Sequence, residues 1–487
     1  MKLRLSSAPG RWTLLATVLG SSMASIDSTV VGIALPAIGR QFHASVVTIQ
    51  WVVDGYLLTL AALLLAGGGL GDELGRKRIF AIGMAWFTVA SAACALAPDA
   101  SVLIVTRFLQ GIGAALLTPG SLAIIEASFH PDDRGRAIGA WSGFSGLATA
   151  AGPLLGGYLI SAASWRWIFL VNVPVALAAL AVTARHVPES RGDESSTLDT
   201  PGATLTVVLL AGLTYALVEG PVMGWASAPV VGALSAAAAA GVAFVVVERH
   251  SRNPLVPLGV FRSRQFTASN LVTLLVYAAL GGTLFLLPVQ LEVVDRYSPL
   301  DAGMSLLPIT ALMLLLSARS GRLAARIGPR LQMSLGPLVV GAGLALLVRT
   351  SDHSSYLAGA LPGVVVFAAG LVITVAPLTA TAMGSVDDRH TGLASAFNND
   401  VARFGGLIAV SVLPALSGLV GSAYLHPHSL AHGFRTAVEI AALWCVAGGL
   451  FAAFGIRNTL PAAGVPGSGG APSLHCALDA PPLAADA

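Results

Sequence analysis

Apolar runs of eighteen residues or more, separated by short polar breaks, recur along almost the whole chain. They lie near 12–35, 48–70, 79–97, 102–126, 137–160 and 167–184, then 202–219 and 229–247, then 266–290, 301–318, 331–349, 357–383, 392–420 and 434–456. A helix of about 20 apolar residues crosses the hydrocarbon core of a bilayer. Fourteen such segments in 487 residues leave no room for a water-soluble core, so the chain reads as an all-α integral membrane protein with 14 transmembrane helices. Run 12–35 is too long for a signal peptide, contains Asp27 and is followed closely by further spans, so it is read as a retained crossing.

Composition removes several function classes. Only 10% of residues are charged, against about 25% in soluble domains. The 27 basic and 24 acidic residues balance too evenly for a nucleic-acid binder. Cys94, Cys445 and Cys476 contain no CxxC pair, so neither a disulfide framework nor a zinc cluster is expected. The two lysines, Lys2 and Lys77, do not follow glycine; the phosphate-binding Gly-Lys-Ser/Thr core is missing, and ATP is not expected as a partner. His426, His428 and His432 lack an acid or thiol companion and are not read as a metal site.

With the N-terminus in the cytoplasm, twenty basic residues fall in inner segments and five, Arg40, Arg166, Arg296, Arg349 and Arg435, in outer ones; Arg107 and Arg403 lie within spans. That asymmetry predicts both termini inside, by the positive-inside rule. The organisation expected is a cytoplasmic N-terminus (1–11), a first six-helix bundle (12–184), two inserted helices with linkers (185–265), a second six-helix bundle (266–456) and a disordered cytoplasmic tail (457–487) rich in Pro, Gly and Ala.

An internal repeat supports two bundles. The segment Gly68-Gly-Leu70-Gly-Asp72-Glu-Leu-Gly75-Arg76-Lys77-Arg78 is echoed by Gly321-Arg-Leu323-Ala-Ala325-Arg326-Ile-Gly328-Pro-Arg330, and Arg134-Gly-Arg-Ala by Arg389-His-Thr-Gly. Such duplication is the layout of a parallel-repeat secondary transporter. Gly68 to Arg78 resembles the signature loop of the major facilitator superfamily. Ile26-Asp27-Ser-Thr29 through Leu35-Pro36 is similar to the first span of its fourteen-spanner drug:proton antiporters. Trp51-Val-Val-Asp54-Gly-Tyr56, Arg107-Phe-Leu-Gln110-Gly111-Ile-Gly113, Gly152-Pro153-Leu-Leu-Gly156-Gly157 and Trp165-Arg166 through Asn172-Val-Pro174 resemble further motifs of that subfamily, in order. Ala148 and Ala325 depart from its glycine and its acid.

Buried charge marks the candidate site. A charge in hydrocarbon costs at least about 2.5–3.5 kcal/mol, so Asp27, Asp54 and Arg107 should face a polar cavity or partners. The resemblance implies proton and substrate coupling by Asp27 and Asp54, with Arg107 tuning whichever carboxylate approaches it; a structural Asp27–Arg107 pair is the alternative. It further implies an inner gate at Gly68, Asp72, Gly75 and Arg76, with Asp72 latching against the start of the thirteenth span, and an antiporter-type helix bend at Gly152, Pro153, Gly156 and Gly157. Gln110, Asn270, Gln290 and Asn398 line the cavity or bond helix to helix, and Asp400 and Arg403, three apart, are expected to satisfy each other. The function implied is efflux of bulky hydrophobic, neutral or monocationic compounds by alternating-access antiport, with the proton gradient and no cofactor as energy source. The protein would act as a monomer in a plasma membrane, the excess of 25 Arg over two Lys suggesting a bacterial one. The rivals are uptake or metabolite export on the same scaffold and, more remotely, a membrane sensor or enzyme.

Overall fold

The computed structural model describes residues 2–192, 199–251, 254–349, 355–386, 391–423 and 426–458. The tail from 459 on, Cys476, and the Arg389 end of the second repeat echo lie outside the described residues.

Helices α1 (Ala8–Phe42), α2 (Val46–Leu74), α3 (Arg76–Ala95), α4 (Ala100–Ser128), α5 (Pro131–Ala162), α6 (Trp167–Leu170) and α7 (Asn172–His186) make the first bundle. Next come the inserted hairpin, α8 (Thr200–Met223) and α9 (Ala228–His250), and then α10 (Arg264–Val289), α11 (Pro299–Ser305), α12 (Leu307–Ile327), α13 (Pro329–Leu347), α14 (Ala360–Met383), α15 (Thr391–Leu416) and α16 (Pro427–Gly455). Counting α6 with α7 and α11 with α12 as broken crossings, 13 spans among the described residues are long and apolar enough for a membrane. The fourteenth is α5, whose 32 residues are ample in length but diluted by Gly, Ser and polar residues. Large apolar side chains such as Val89, Leu96, Val242, Leu443 and Phe454 stand exposed, as suits a surface solvated by lipid rather than water.

We call the face carrying the N-terminus the near face. Side-chain caps open several helices: Ser7 for α1, Ser45 for α2, Asp99 for α4 and Ser263 for α10. At the near face Gly75 (φ 114°) joins α2 to α3 and Gly328 (φ 84°) joins α12 to α13, so the duplication is visible in backbone shape 253 residues apart. An L side chain is disfavoured at either position.

The two bundles meet away from the near face. Among the described residues, every hydrogen bond or ion pair joining them lies toward the opposite, far face: Val46 N to Gly421 O at 3.0 Å, Gln50 Nε2 to Val410 O at 2.7 Å, Ser411 Oγ to Asp54 Oδ2 at 3.0 Å, and Arg40 with Glu292 at 3.8 Å. One apolar core runs across this seam, from Val30 and Ile33 of α1 to Val276 and Leu286 of α10. Backbones also abut there: a β-carbon on Gly157 of α5 would stand 2.5 Å from Pro299 O, and one on Gly303 of α11 would strike the Pro153 carbonyl. Toward the near face the seam opens, and β-carbons added at Gly135, Gly139, Gly143 or Gly146 of α5 would meet nothing within 4 Å. The inserted α8 touches both bundles, packing on α2 and α15, while α9 packs on α8 and leaves most of its surface exposed.

Candidate functional site

Small residues bring α2, α3 and α4 close enough for short polar side chains to meet. On α4, a β-carbon at Gly111 would stand 2.5 Å from Tyr56 O, and one at Gly113 would stand 2.6 Å from Phe87 N. Arg107 and Gln110, one turn apart on that helix, then reach all three neighbours. The Arg107 guanidinium donates to Asp27 Oδ2 of α1 at 2.5 Å, to Gln110 Oε1 at 2.5 Å and, through Nε, to Val52 O of α2 at 3.0 Å. It also lies 4.4 Å from the centre of the Tyr56 ring. Gln110 Nε2 donates to Asp27 Oδ1 at 2.8 Å and lies 2.7 Å from Ser91 Oγ of α3. Asn172, at the break between α6 and α7, donates to the same Ser91 hydroxyl, and Cys94 Sγ lies 3.6 Å from Gln110 Oε1.

Asp27 is 0% and Arg107 1% exposed, so a full ion pair is held in the middle of the first bundle. Such a pair survives burial only when its remaining hydrogen-bonding atoms are also met, and both Asp27 oxygens are. The arrangement can exchange partners around one carboxylate: a proton on Asp27 would release Arg107, which keeps Gln110, Val52 and the Tyr56 ring.

Asp54 does not join this network. It is fully buried on α2 where α15 of the second bundle crosses; Ser411 Oγ donates to Oδ2, and Oδ1 has no hydrogen-bond partner. Of the alternatives left open by sequence, Arg107 therefore takes Asp27, and Asp54 sits at the seam.

Gly152 and Pro153 form a receptor for α1. Proline lacks an N–H, so the carbonyl four residues back, that of Thr149, loses its helical donor. Thr29 Oγ1 lies 3.2 Å from it, as well as near the Ser25 and Ile26 carbonyls of its own helix. Glycine at 152 leaves the room Thr29 occupies, and Gly156 does the same for Val30. Gly157 faces the other bundle instead.

At the near-face loop Asp72 Oδ1 accepts from Arg76 Nε at 2.7 Å, and Arg76 NH1 donates to Ala123 O of α4. The chain after α7 folds over it: Gly192 N donates to Asp72 O, Arg76 N to Ser190 O, and Lys77 N to Glu189 Oε1. Gly68 faces only Pro119, in ordinary contact. Asp72 is held by a clasp within the first bundle; its expected latch falls on residues 387–390 and on the side chains of 391–393 at the start of α15, which lie outside the described residues.

Among the cavity candidates, Gln110 belongs to the Asp27 network. Asn398 Nδ2 donates to Asn270 Oδ1 at 3.0 Å and to Thr273 Oγ1 at 2.7 Å, the helix-to-helix alternative. Gln290 is fully buried with both amide atoms unpartnered, at a wide helical turn (Gln290–Val294) that follows Pro288, so it lines no open space here. Asp400 and Arg403 do not pair: no ion pair joins them among the described residues, and Asp400 Oδ1 and Arg403 Nε lack partners. Sequence reasoning missed Ser91, Ser411, Gln50 and the Arg40–Glu292 pair; the available signal was a polar residue isolated within an apolar run. A cleft of about 690 Å³ between α8 and α9 is lined by Leu209, Leu213, Leu234, Val242 and Val245 and lies apart from these groups.

The profile of the Major Facilitator Superfamily matches residues 17–411. The chain is 35% identical to the multidrug resistance protein Stp of Mycobacterium tuberculosis over 85% of its own length and 77% of that protein's. It is 36% identical to the puromycin resistance protein pur8 of Streptomyces alboniger over 89% of each, and 34% identical to the tetracenomycin C resistance and export protein of Streptomyces glaucescens over 83% and 75%. Among solved structures, a bacterial homolog of the human lysosomal transporter Spinster, inward-facing and occupied, matches with a TM-score of 0.67 at 17% identity, over 93% of this chain and 98% of that one.

Proposed function

Since the chain belongs to the Major Facilitator Superfamily, whose members are membrane transporters and not enzymes, we propose that it exports bulky hydrophobic, neutral or monocationic compounds in exchange for protons. The near face is then the cytoplasmic one of a bacterial plasma membrane, as the arginine distribution favours. The arrangement is open toward the cytoplasm and sealed outside, and the protein works as a monomer. Its relatives, named for antibiotic and multidrug resistance, support efflux over uptake.

The observation that carries the reading is a pair of fully buried carboxylates in different settings: Asp27 locked to Arg107, and Asp54 at the seam with one oxygen free. Opening the far face breaks the Ser411 bond and wets Asp54, so a proton arrives from outside. Closing it again presents a neutral Asp54 to Ser411. Drug loading from the cytoplasm then favours proton release inward, with the Asp27–Arg107 exchange as the coupled step.

Energetically one proton suffices. A fall through 100 mV yields about 2.3 kcal/mol and one pH unit about 1.4, together a gradient of a few hundredfold for a neutral cargo. The test is transport of a dye panel into inverted vesicles with an acid lumen. Wild-type protein accumulates dye, and Asp27→Asn and Asp54→Asn each reduce accumulation to background; unchanged accumulation in both rejects the assignment.

A further inference from the structure

The inserted hairpin carries, at the near face, two acids that the transport reading does not use. Asp199 immediately precedes α8 and Glu248 lies in the last turn of α9, with exposures of 8% and 4%. One oxygen of each is occupied: Asp199 Oδ1 accepts the Gly202 amide at 2.9 Å, and Glu248 Oε2 accepts the Val256 amide at 3.1 Å. The remaining two, Asp199 Oδ2 and Glu248 Oε1, have no hydrogen-bond partner. Both stand beside one point, 2.9 and 3.0 Å from where a β-carbon on Gly202 would be. Glycine at 202 keeps that space open, and two buried acids from different helices point into it.

Two carboxylates facing each other away from water do not both keep a charge unless something positive lies between them. Among the described residues no nearby charge supplies it. Arg249 and His250 follow Glu248 at the exposed end of α9, with the His250 ring against Val246 O; Arg252 lies outside the described residues. α8 has no other charged residue before Glu219 at its far end, while the packed α2 and α15 bring Asp72, Glu73, Asp400 and Arg403, none of which forms an ion pair with Asp199 or Glu248 among the described residues.

The geometry points to a carboxyl–carboxylate pair in which Asp199 Oδ2 and Glu248 Oε1 hold one proton between them, clasping the near end of α8 to that of α9 and, through Val256, to the linker beyond. The proton comes from water at the near face and returns to it; no other group changes state. Because α8 touches both bundles, the clasp sets how firmly the hairpin straddles the seam.

The experiment measures the separation of spin labels at Thr204→Cys on α8 and Val246→Cys on α9, in full-length protein with Cys476→Ser, reconstituted in lipid across a pH series. Raising pH strips the shared proton, and the wild-type label distance lengthens reversibly. Glu248→Gln keeps a hydrogen-bonding but uncharged partner, and Asp199→Asn keeps a good helix cap, so in both the helices stay closed and the pH response is lost. His250→Gln retains the full response. Overturning results are a wild-type distance that does not change with pH, a response that survives in Glu248→Gln, a response lost in His250→Gln, or closure at high pH restored by sodium or calcium alone, which would make a metal ion the occupant.

Discussion

Asp27→Asn should unsettle the fold and abolish transport, and the two effects can be separated by also changing Arg107. In the native protein Asp27 and Arg107 are 0% and 1% exposed and 2.5 Å apart. Asparagine keeps an acceptor for Gln110 Nε2 but turns its amide nitrogen, another donor, toward the guanidinium. Removing one member of a buried pair strands the other charge, at about 3–5 kcal/mol. Arg107→Gln strands the Asp27 carboxylate at a comparable cost. The double variant strands nothing and loses chiefly the contact with the Tyr56 ring and the bond to the Val52 carbonyl, about 1–2 kcal/mol together. The two single losses therefore should not add, and the coupling is about 4 kcal/mol or more. Unfolding of purified protein in mixed micelles, followed by tryptophan fluorescence, measures it across all four forms. A coupling below about 1 kcal/mol would show that the two charges are not balancing each other in a water-poor site, and the reasoning fails. The double variant, nearly as stable as wild type, should still export no dye in response to a pH gradient; retained export would remove Asp27 from the coupling step.

Ser411→Ala removes the hydroxyl bonded to Asp54 and weakens the sealed far face by about 0.5–1.5 kcal/mol, the worth of a hydrogen bond between neutral groups. Labelling of a far-side cysteine by an impermeant thiol reagent should rise about two- to tenfold, and unchanged labelling would contradict it. Gly157→Ala places a β-carbon 2.5 Å from Pro299 O and 2.8 Å from the Leu300 α-carbon, both backbone atoms that cannot swing aside. It should open the same face, whereas Gly143→Ala, with nothing within 4 Å, should leave labelling at the wild-type level. At the near face, the hydrogen bond from Arg4, with the His130 charge beside it, holds the exposed Asp132 carboxyl below its ordinary value. The share of N-terminal docking that this contact supplies is present at neutral pH and lost as pH falls through that lowered value; Arg4→Gln removes that share and flattens the acid response, read by limited proteolysis of the first residues.

The crossings were legible because lipid imposes one rule on every residue of a span, and α5 was found despite its glycines since a long run without charge has few other uses. The Asp27–Arg107 pair was legible for the same reason, each charge demanding a partner at comparable depth. The partner of Asp54 was not, because Ser411 lies 357 residues away and nothing local says which face of α15 crosses α2. Spacing misled at Asp400 and Arg403: three residues along a helix put two side chains on one side, but that alone does not bring a carboxylate and a guanidinium within ion-pair distance, and among the described residues none joins them. At the signature loop the local clasp from residues 189–192 was not legible, since nothing in the sequence says that the chain after α7 folds back over Asp72. Gly328, by contrast, could be placed from Gly75 through the repeat, since a left-handed backbone has few residues to choose from.

Where α5 meets α11, the main chains of Gly157 and Gly303 rest directly against those of Pro299 and Pro153. A joint of that kind behaves like a gasket: it blocks passage while pressed shut and offers no teeth to disengage when the load reverses. The force that holds it comes from beside it, from the apolar core that crosses the seam and the polar fasteners at Arg40, Val46, Gln50 and Asp54. Their combined strength, rather than the joint itself, then sets how often the outer door swings.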